Sequence, residues 1–301
     1  MGETRILDLA RHGKYDWWRY ALSTVIILSF WISGSVALFI PMFAISMLSG
    51  DRPVTNPETG EITGVDPLLL VTTLLLSFLP LLVSLLLSVR FIHQRSVTSL
   101  ITPLARIDWK RMLIGFLAFG VLSGLSCIVE ALLFPERYQF TFKPLETLKF
   151  VPVILLLIPF QAASEELLFR GYIPQGIGLL TRRAWIPVTI SSVVFMLMHI
   201  SNPEAKIDTP LMLAGYLTFA LLFALITIKD NRMELAIGMH IANNVFVLVV
   251  NNAVSTLPVP SVFTLIKMDA AYSLVSLIIM GAIFYIGLHI SQKNATSAPE
   301  I

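Results

Sequence analysis

The chain has 301 residues, 56% hydrophobic and 13% charged, with a mean hydropathy of +0.80. Soluble domains carry about 25% charged residues, so this composition calls for a lipid solvent. A net charge of +2 offers no electrostatic footprint for nucleic acid, and a single cysteine, Cys127, excludes an internal disulfide and a cysteine-built metal cluster.

Residues 1–18 are charged, and the apolar run after them is far longer than the roughly 7–15 residues of a signal-peptide core. The first segment is therefore expected to be an uncleaved anchor. Eight apolar segments are predicted to cross the membrane: 20–49, 67–89, 112–134, 150–173, 184–200, 210–228, 234–253 and 270–290. A helix of about 20 apolar residues spans a bilayer. Residues 51–66, rich in turn formers, read as a loop. With no internal repeat and no linker, the expectation is one all-α polytopic membrane bundle over 1–301, its catalytic core within 150–250. If the N-terminus is cytoplasmic, fourteen Lys and Arg fall in inside stretches and six in outside stretches. That bias predicts both termini inside and a multi-pass protein of the cell (plasma) membrane.

The fourth segment carries the anomaly. The apolar run VPVILLLIPF is followed by QAASEELLFR, residues 161–170. Charge inside a membrane is costly and usually tied to function. On a helix, residues four apart share a face, so Glu166 and Arg170 form an ion-pair geometry with the acid placed N-terminally. Glu165 instead shares a face with Gln161 and Phe169, and has no charged partner on its own helix. An unpaired acid at low dielectric suits a general base. Pro159 predicts a kink near Leu155.

Phe195 and His199 form a second i, i+4 pair in the fifth segment. His240 and Asn244 form a third in the seventh, with Asn243 on another face. A turn is expected near Thr181–Arg183; Glu165 and His199 each lie seventeen residues from Arg182, so the two can reach one depth across a hairpin. Base, two histidines and an amide are the parts of a hydrolase: one pair to activate water, one to donate to an oxyanion. His12, His93 and His289 are expected to be solvated or interfacial. Glu130 should be structural, late in the third span; Ser191 and Ser192 should be packing residues; Asn251 and Asn252 should end the seventh helix. The sequence holds no HExxH, no serine elbow and no intramembrane aspartate pair.

Glu165-Glu166-x-x-x-Arg170, Phe195-x-x-x-His199 and His240-x-x-x-Asn244 together resemble the three motifs of the CAAX protease and bacteriocin-processing family of intramembrane proteases, which includes type II CAAX prenyl endopeptidases. Gly171 also fits. The resemblance covers roughly residues 150–250. It implies an endopeptidase that cuts a membrane-associated peptide or protein, with Glu165 and His199 activating the water. His240 and Asn244 would stabilise the oxyanion, and Glu166, Arg170 and Phe195 would support them. Family members have been described as metalloproteases, and Glu165, His199 and His240 are acceptable zinc ligand types. The metal-free glutamate mechanism, without cofactor, is the preferred expectation. The alternatives are a non-catalytic membrane immunity or scaffold protein of the same fold, and a proton-coupled transporter.

One expectation concerns depth. With continuous helices, Glu165 would lie about 25 Å from the inner turn and His240 only about 12 Å past Arg232. For the two to meet, residues 172–183 should be either broken or extended beyond the membrane.

Overall fold

The computed structural model describes residues 5–56, 62–253 and 257–297. A short 3-10 segment, Ile6–His12, precedes the first long helix. Among the described residues, six helices are long and apolar enough to cross a membrane: α1 (Trp17–Leu48), α2 (Pro67–Ile92), α3 (Trp109–Leu133), α4 (Pro144–Gly178), α6 (Thr209–Asp230) and α8 (Ala270–Asn294). Two apolar helices are shorter, α5 (Trp185–Met198) and α7 (Glu234–Val250). The eight apolar segments are thus all helical, but six rather than eight have membrane length. The two exceptions are the predicted spans 184–200 and 234–253. Helix α7 is apolar for a different reason. Every residue from Glu234 to His240 is buried, and the helix packs against α3, α4 and α6. Its apolarity matches a protein interior, not lipid, and hydropathy alone cannot separate the two.

The strands are few. β1 (Val54–Thr55) and β2 (Ile62–Thr63) pair antiparallel. β3 (Tyr138–Phe140), β4 (Asn251–Ala253) and β5 (Phe263–Leu265) form a sheet in the order β3-β5-β4, with β4 parallel to β5. Asn251 and Asn252 do end α7, and they enter β4.

Close backbone approach fixes α7 on α3. A Cβ on Gly238 would collide with the Met112 carbonyl and lie 2.8 Å from the Phe116 nitrogen, and one on Gly115 would collide with the Leu235 carbonyl. Small residues at such crossings are how helices meet in lipid, where no hydrophobic force drives them together. Phe119, Phe223, Leu235 and Met239 fill the interior beside this contact.

Polar groups anchor both ends of the bundle. At the sheet end, Glu130 is buried. It pairs with Arg137 at 3.2 Å and accepts from Tyr138 Oη at 2.6 Å; Arg137 also reaches Asp269 at 2.6 Å. At the other end Asp230 pairs with Arg111, and Asn231 ends α6 in the left-handed region at φ 55°, a conformation asparagine tolerates.

His93 corrects an expectation. It is buried, 1% exposed. Its Nδ1 donates to the Lys14 carbonyl at 2.9 Å, and its Nε2 lies 3.0 Å from Tyr172 Oη. It clamps the N-terminal arm to α4. Flanking arginines, Arg90 and Arg95, made this position look solvated in the sequence. His12 and His289 are exposed.

Candidate active site

Helix α4 runs unbroken through Pro152 and Pro159 to Glu166, then widens into a π-turn over Leu167–Tyr172 and resumes over Ile173–Gly178. The widening has a chemical reason. Ile173 N–H bonds to the Leu168 carbonyl, the i to i−5 pattern. The next donor in that register would be residue 174, paired with the Phe169 carbonyl. Pro174 has no N–H. Ser191 Oγ from α5 donates to the Phe169 carbonyl instead, at 2.5 Å. Ser191 therefore does more than pack: it completes the turn that carries the motif. π-bulges of this kind recur at functional sites.

The π-turn and the length of α4 also settle the depth question. Gly171 lies against Leu100 and Met233; a Cβ there would sit 3.0 Å from the Leu100 carbonyl oxygen and 3.2 Å from Met233 Cε. Gly171 is therefore level with the start of α7, and the rest of α4 overshoots it. Residues 172–178 remain helical despite Pro174, Gly176 and Gly178, so the segment is extended, not broken.

Four charged or ionisable side chains converge between α4 and α7. Arg170 Nη1 lies 3.1 Å from Glu166 Oε1, as the helical spacing predicts. His240 Nδ1 donates to that same Glu166 oxygen at 2.7 Å. His240 Nε2 lies 3.6 Å from Glu165 Oε2. The imidazole is thus held between two adjacent carboxylates. Relative exposures separate the two acids: Glu166 is at 0% and Glu165 at 8%. Among the described residues, no side chain donates a hydrogen bond to Glu165. It is the less enclosed of the two acids.

Aromatic rings box the cluster. The Arg170 guanidinium stacks over Phe195 at 4.4 Å, a contact that offsets part of its desolvation. Phe219 and Phe223 of α6 meet His240 edge-on at 5.1 and 5.8 Å. Nothing in the sequence marks these two; phenylalanines one turn apart in an apolar helix look like ordinary packing.

Asn244 lies one turn beyond His240. Its Nδ2 donates to Gln161 Oε1 of α4 at 2.8 Å, and its Oδ1 accepts from Asn243 Nδ2 at 3.0 Å. Gln161 is one turn before Glu165. A polar residue inside VPVILLLIPFQAAS was the signal that could have singled it out.

His199 is placed differently. It ends α5 half-buried and donates from Nδ1 to the Phe195 carbonyl at 2.7 Å. Its ring stacks on Phe195 at 4.3 Å and tilts against Tyr216 at 4.7 Å. A carbonyl only accepts, so the proton is on Nδ1 and Nε2 is left as the basic nitrogen. Glu165 and His199 form no ion pair within 4.0 Å. The residues do not fit a zinc centre: among the described residues no three His, Cys, Asp or Glu side chains group as a metal would need. His199 faces Phe195, and the Glu165–Glu166–His240 group is committed to itself and to Arg170.

Residues 147–246 match the family model described as type II CAAX prenyl endopeptidase Rce1-like. A CAAX prenyl endopeptidase Rce1-like domain is matched over part of the chain. The Rce1-like match runs from the first turns of α4 to Phe246, where α7 widens into a π-turn over Phe246–Val250, and so contains every residue of the cluster. The chain is also 28% identical over 258 residues to the uncharacterized protein YyaK of Bacillus subtilis (strain 168), covering 85% of this chain and 85% of that protein. That similarity extends well beyond the Rce1-like region. No solved structure matches the chain.

Proposed function

We propose that the protein is an intramembrane endopeptidase that hydrolyses a peptide bond of a membrane-associated peptide or protein. The observation that carries this reading is the approach of His240 to within 3.6 Å of Glu165, from helices whose motifs are far apart in sequence. The Rce1-like match over residues 147–246 supports it.

In this reading Glu165 is the general base. It is the less enclosed of the two acids, and it takes a proton from water as the oxygen attacks the scissile carbonyl. His199 joins it through the free Nε2 once substrate orders the site; catalytic contacts are often loose before substrate binds. The carbonyl oxygen becomes an oxyanion, facing His240 Nε2 and an Asn244 N–H. His240 already donates from Nδ1 to Glu166, so donation from Nε2 as well requires the imidazolium. Glu166 and Arg170 hold the ring in place. The proton taken by Glu165 passes to the departing amine. Both termini are assigned to the cytoplasm and the protein to the cell membrane on the charge bias of its loops.

The test uses the purified protein in lipid nanodiscs with a pooled library of lipid-anchored and single-span peptides in ¹⁸O-water. Mass spectrometry should find new C-termini carrying one ¹⁸O, and these should vanish with Glu165→Gln. Fragments that persist unchanged in that variant, or a wild type that cuts nothing in the pool, would overturn the reading in favour of a non-catalytic protein.

A further inference from the structure

The amide of Asn244 is held at both ends, and one of the holders lies outside the three motifs. Gln161 Oε1 accepts one N–H of Asn244 at 2.8 Å. Asn243 Nδ2 donates to the Asn244 oxygen at 3.0 Å. These two bonds fix the plane of the amide and its flip state. One N–H remains, and its direction is then set. Gln161 is buried at 7% exposure and lies on the Glu165 face of α4. The bond therefore ties the donor on α7 to the helix that carries the base.

We propose that Gln161 is a positioning residue of the active site, which aims the free N–H of Asn244 at the oxyanion and sets its distance from Glu165. The inference rests on the endopeptidase reading above. Its physical basis is the steep dependence of oxyanion stabilisation on direction and distance. Losing one such donor costs about 10²–10³ in kcat, and a misplacement of about 1 Å can cost about 10². Without the Gln161 acceptor, Asn244 keeps only Asn243 and can rotate. The loss should fall on the transition state, since the ground-state carbonyl is a weaker acceptor than the oxyanion.

The experiment is a double-mutant cycle, run on the fastest-cleaved peptide of the pool. Gln161→Met keeps the side-chain volume and removes the acceptor. It should lower kcat by about 10- to 100-fold, with KM within about threefold. In an Asn244→Ala background the same substitution should change nothing further, because its effect runs through Asn244. If the losses multiply, or if KM rises as much as kcat falls, Gln161 is a packing residue and the proposal is wrong. If Gln161→Met does not fold, Gln161→Leu takes its place in the same cycle. Full activity of Gln161→Met beside Glu165-dependent wild-type cleavage defeats this proposal alone. No Glu165-dependent cleavage at all defeats the endopeptidase reading, and this inference with it.

Discussion

The buried ion pair gives the most direct test of how the charges are held. Arg170→Met keeps the length of the side chain and removes its charge. Glu166 has no exposed surface, so it stays in the interior with its hydrogen bond from His240 Nδ1 at 2.7 Å but without the ion pair to Arg170. Stripping one partner from a buried pair costs about 3–5 kcal/mol. The surviving charge-assisted bond to His240 places this site at the low end. The lost stacking on Phe195, 4.4 Å from the guanidinium, adds about 0.5–2 kcal/mol. The expected destabilisation is therefore about 4 kcal/mol, a large share of the total stability of a typical fold. Adding Glu166→Gln removes the stranded charge, and the double variant should recover at least about 1 kcal/mol relative to the single one. Unfolding in mixed micelles of increasing dodecyl sulfate fraction, followed by tryptophan fluorescence, measures both. A single variant within about 1 kcal/mol of wild type, or a double variant less stable than the single, would refute the reasoning.

Ser191→Ala should cost about 1–3 kcal/mol by leaving the Phe169 carbonyl unsatisfied. The cost should shrink in a Pro174→Ala background, where the backbone gains its own N–H; equal costs in the two backgrounds would show that Ser191 does not substitute for that missing donor. Gly238→Ala should destabilise by about 1–3 kcal/mol through overpacking against Met112. Gly120→Ala, whose Cβ would stand 4.0 Å from that of Ala242, should instead stabilise by up to about 1 kcal/mol through helix propensity; thermal unfolding of both in nanodiscs separates the two effects. Burial, with the nearby charges of Arg95 and Arg19, pushes the His93 pKa down from its ordinary value. The fold thus favours the neutral ring. That contribution is complete above the unfolded-state value of about 6.5 and is lost as pH falls below it toward the folded value. Wild type should lose more thermal stability than His93→Gln between pH 7.5 and 5.5, and equal losses would remove His93 from the account.

The apolar helices were legible because a 20-residue run without charge has few alternatives in water. The pairing of Glu166 with Arg170 was legible too, since i, i+4 geometry is internal to one helix. What the sequence could not convey is rotation of one helix against another. His240 meets Glu166 because Gly238 and Gly115 let α7 seat on α3 at one angle, and no local pattern encodes that angle. The same limit hid the burial of His93, which depends on the N-terminal arm folding back over a stretch of arginines. Nor does a local pattern show that His199 Nδ1 is held by the Phe195 carbonyl one turn back on its own helix. Gln161 stood visible as a polar residue in an apolar run, but its partner lay on another helix.

The enclosure of α7 is what permits the site. A helix that crossed the bilayer at the rim of the bundle would turn part of its surface to lipid, where His240 and Asn244 would lack partners. Enclosed by α3, α4 and α6, α7 instead finds a protein group for each: Glu165 and Glu166 for His240, Gln161 and Asn243 for Asn244, with the Phe219 and Phe223 rings closing the remaining side. The two adjacent glutamates are then unequal. Glu166 meets both Arg170 and His240 through Oε1, and its buried Oε2 has no hydrogen-bond partner among the described residues, while Glu165 shares only the far nitrogen of the same ring. An adjacent acidic pair is costly in lipid when both members need neutralising. Here one member neutralises the cation and orients the imidazole, and the other receives no side-chain hydrogen bond among the described residues.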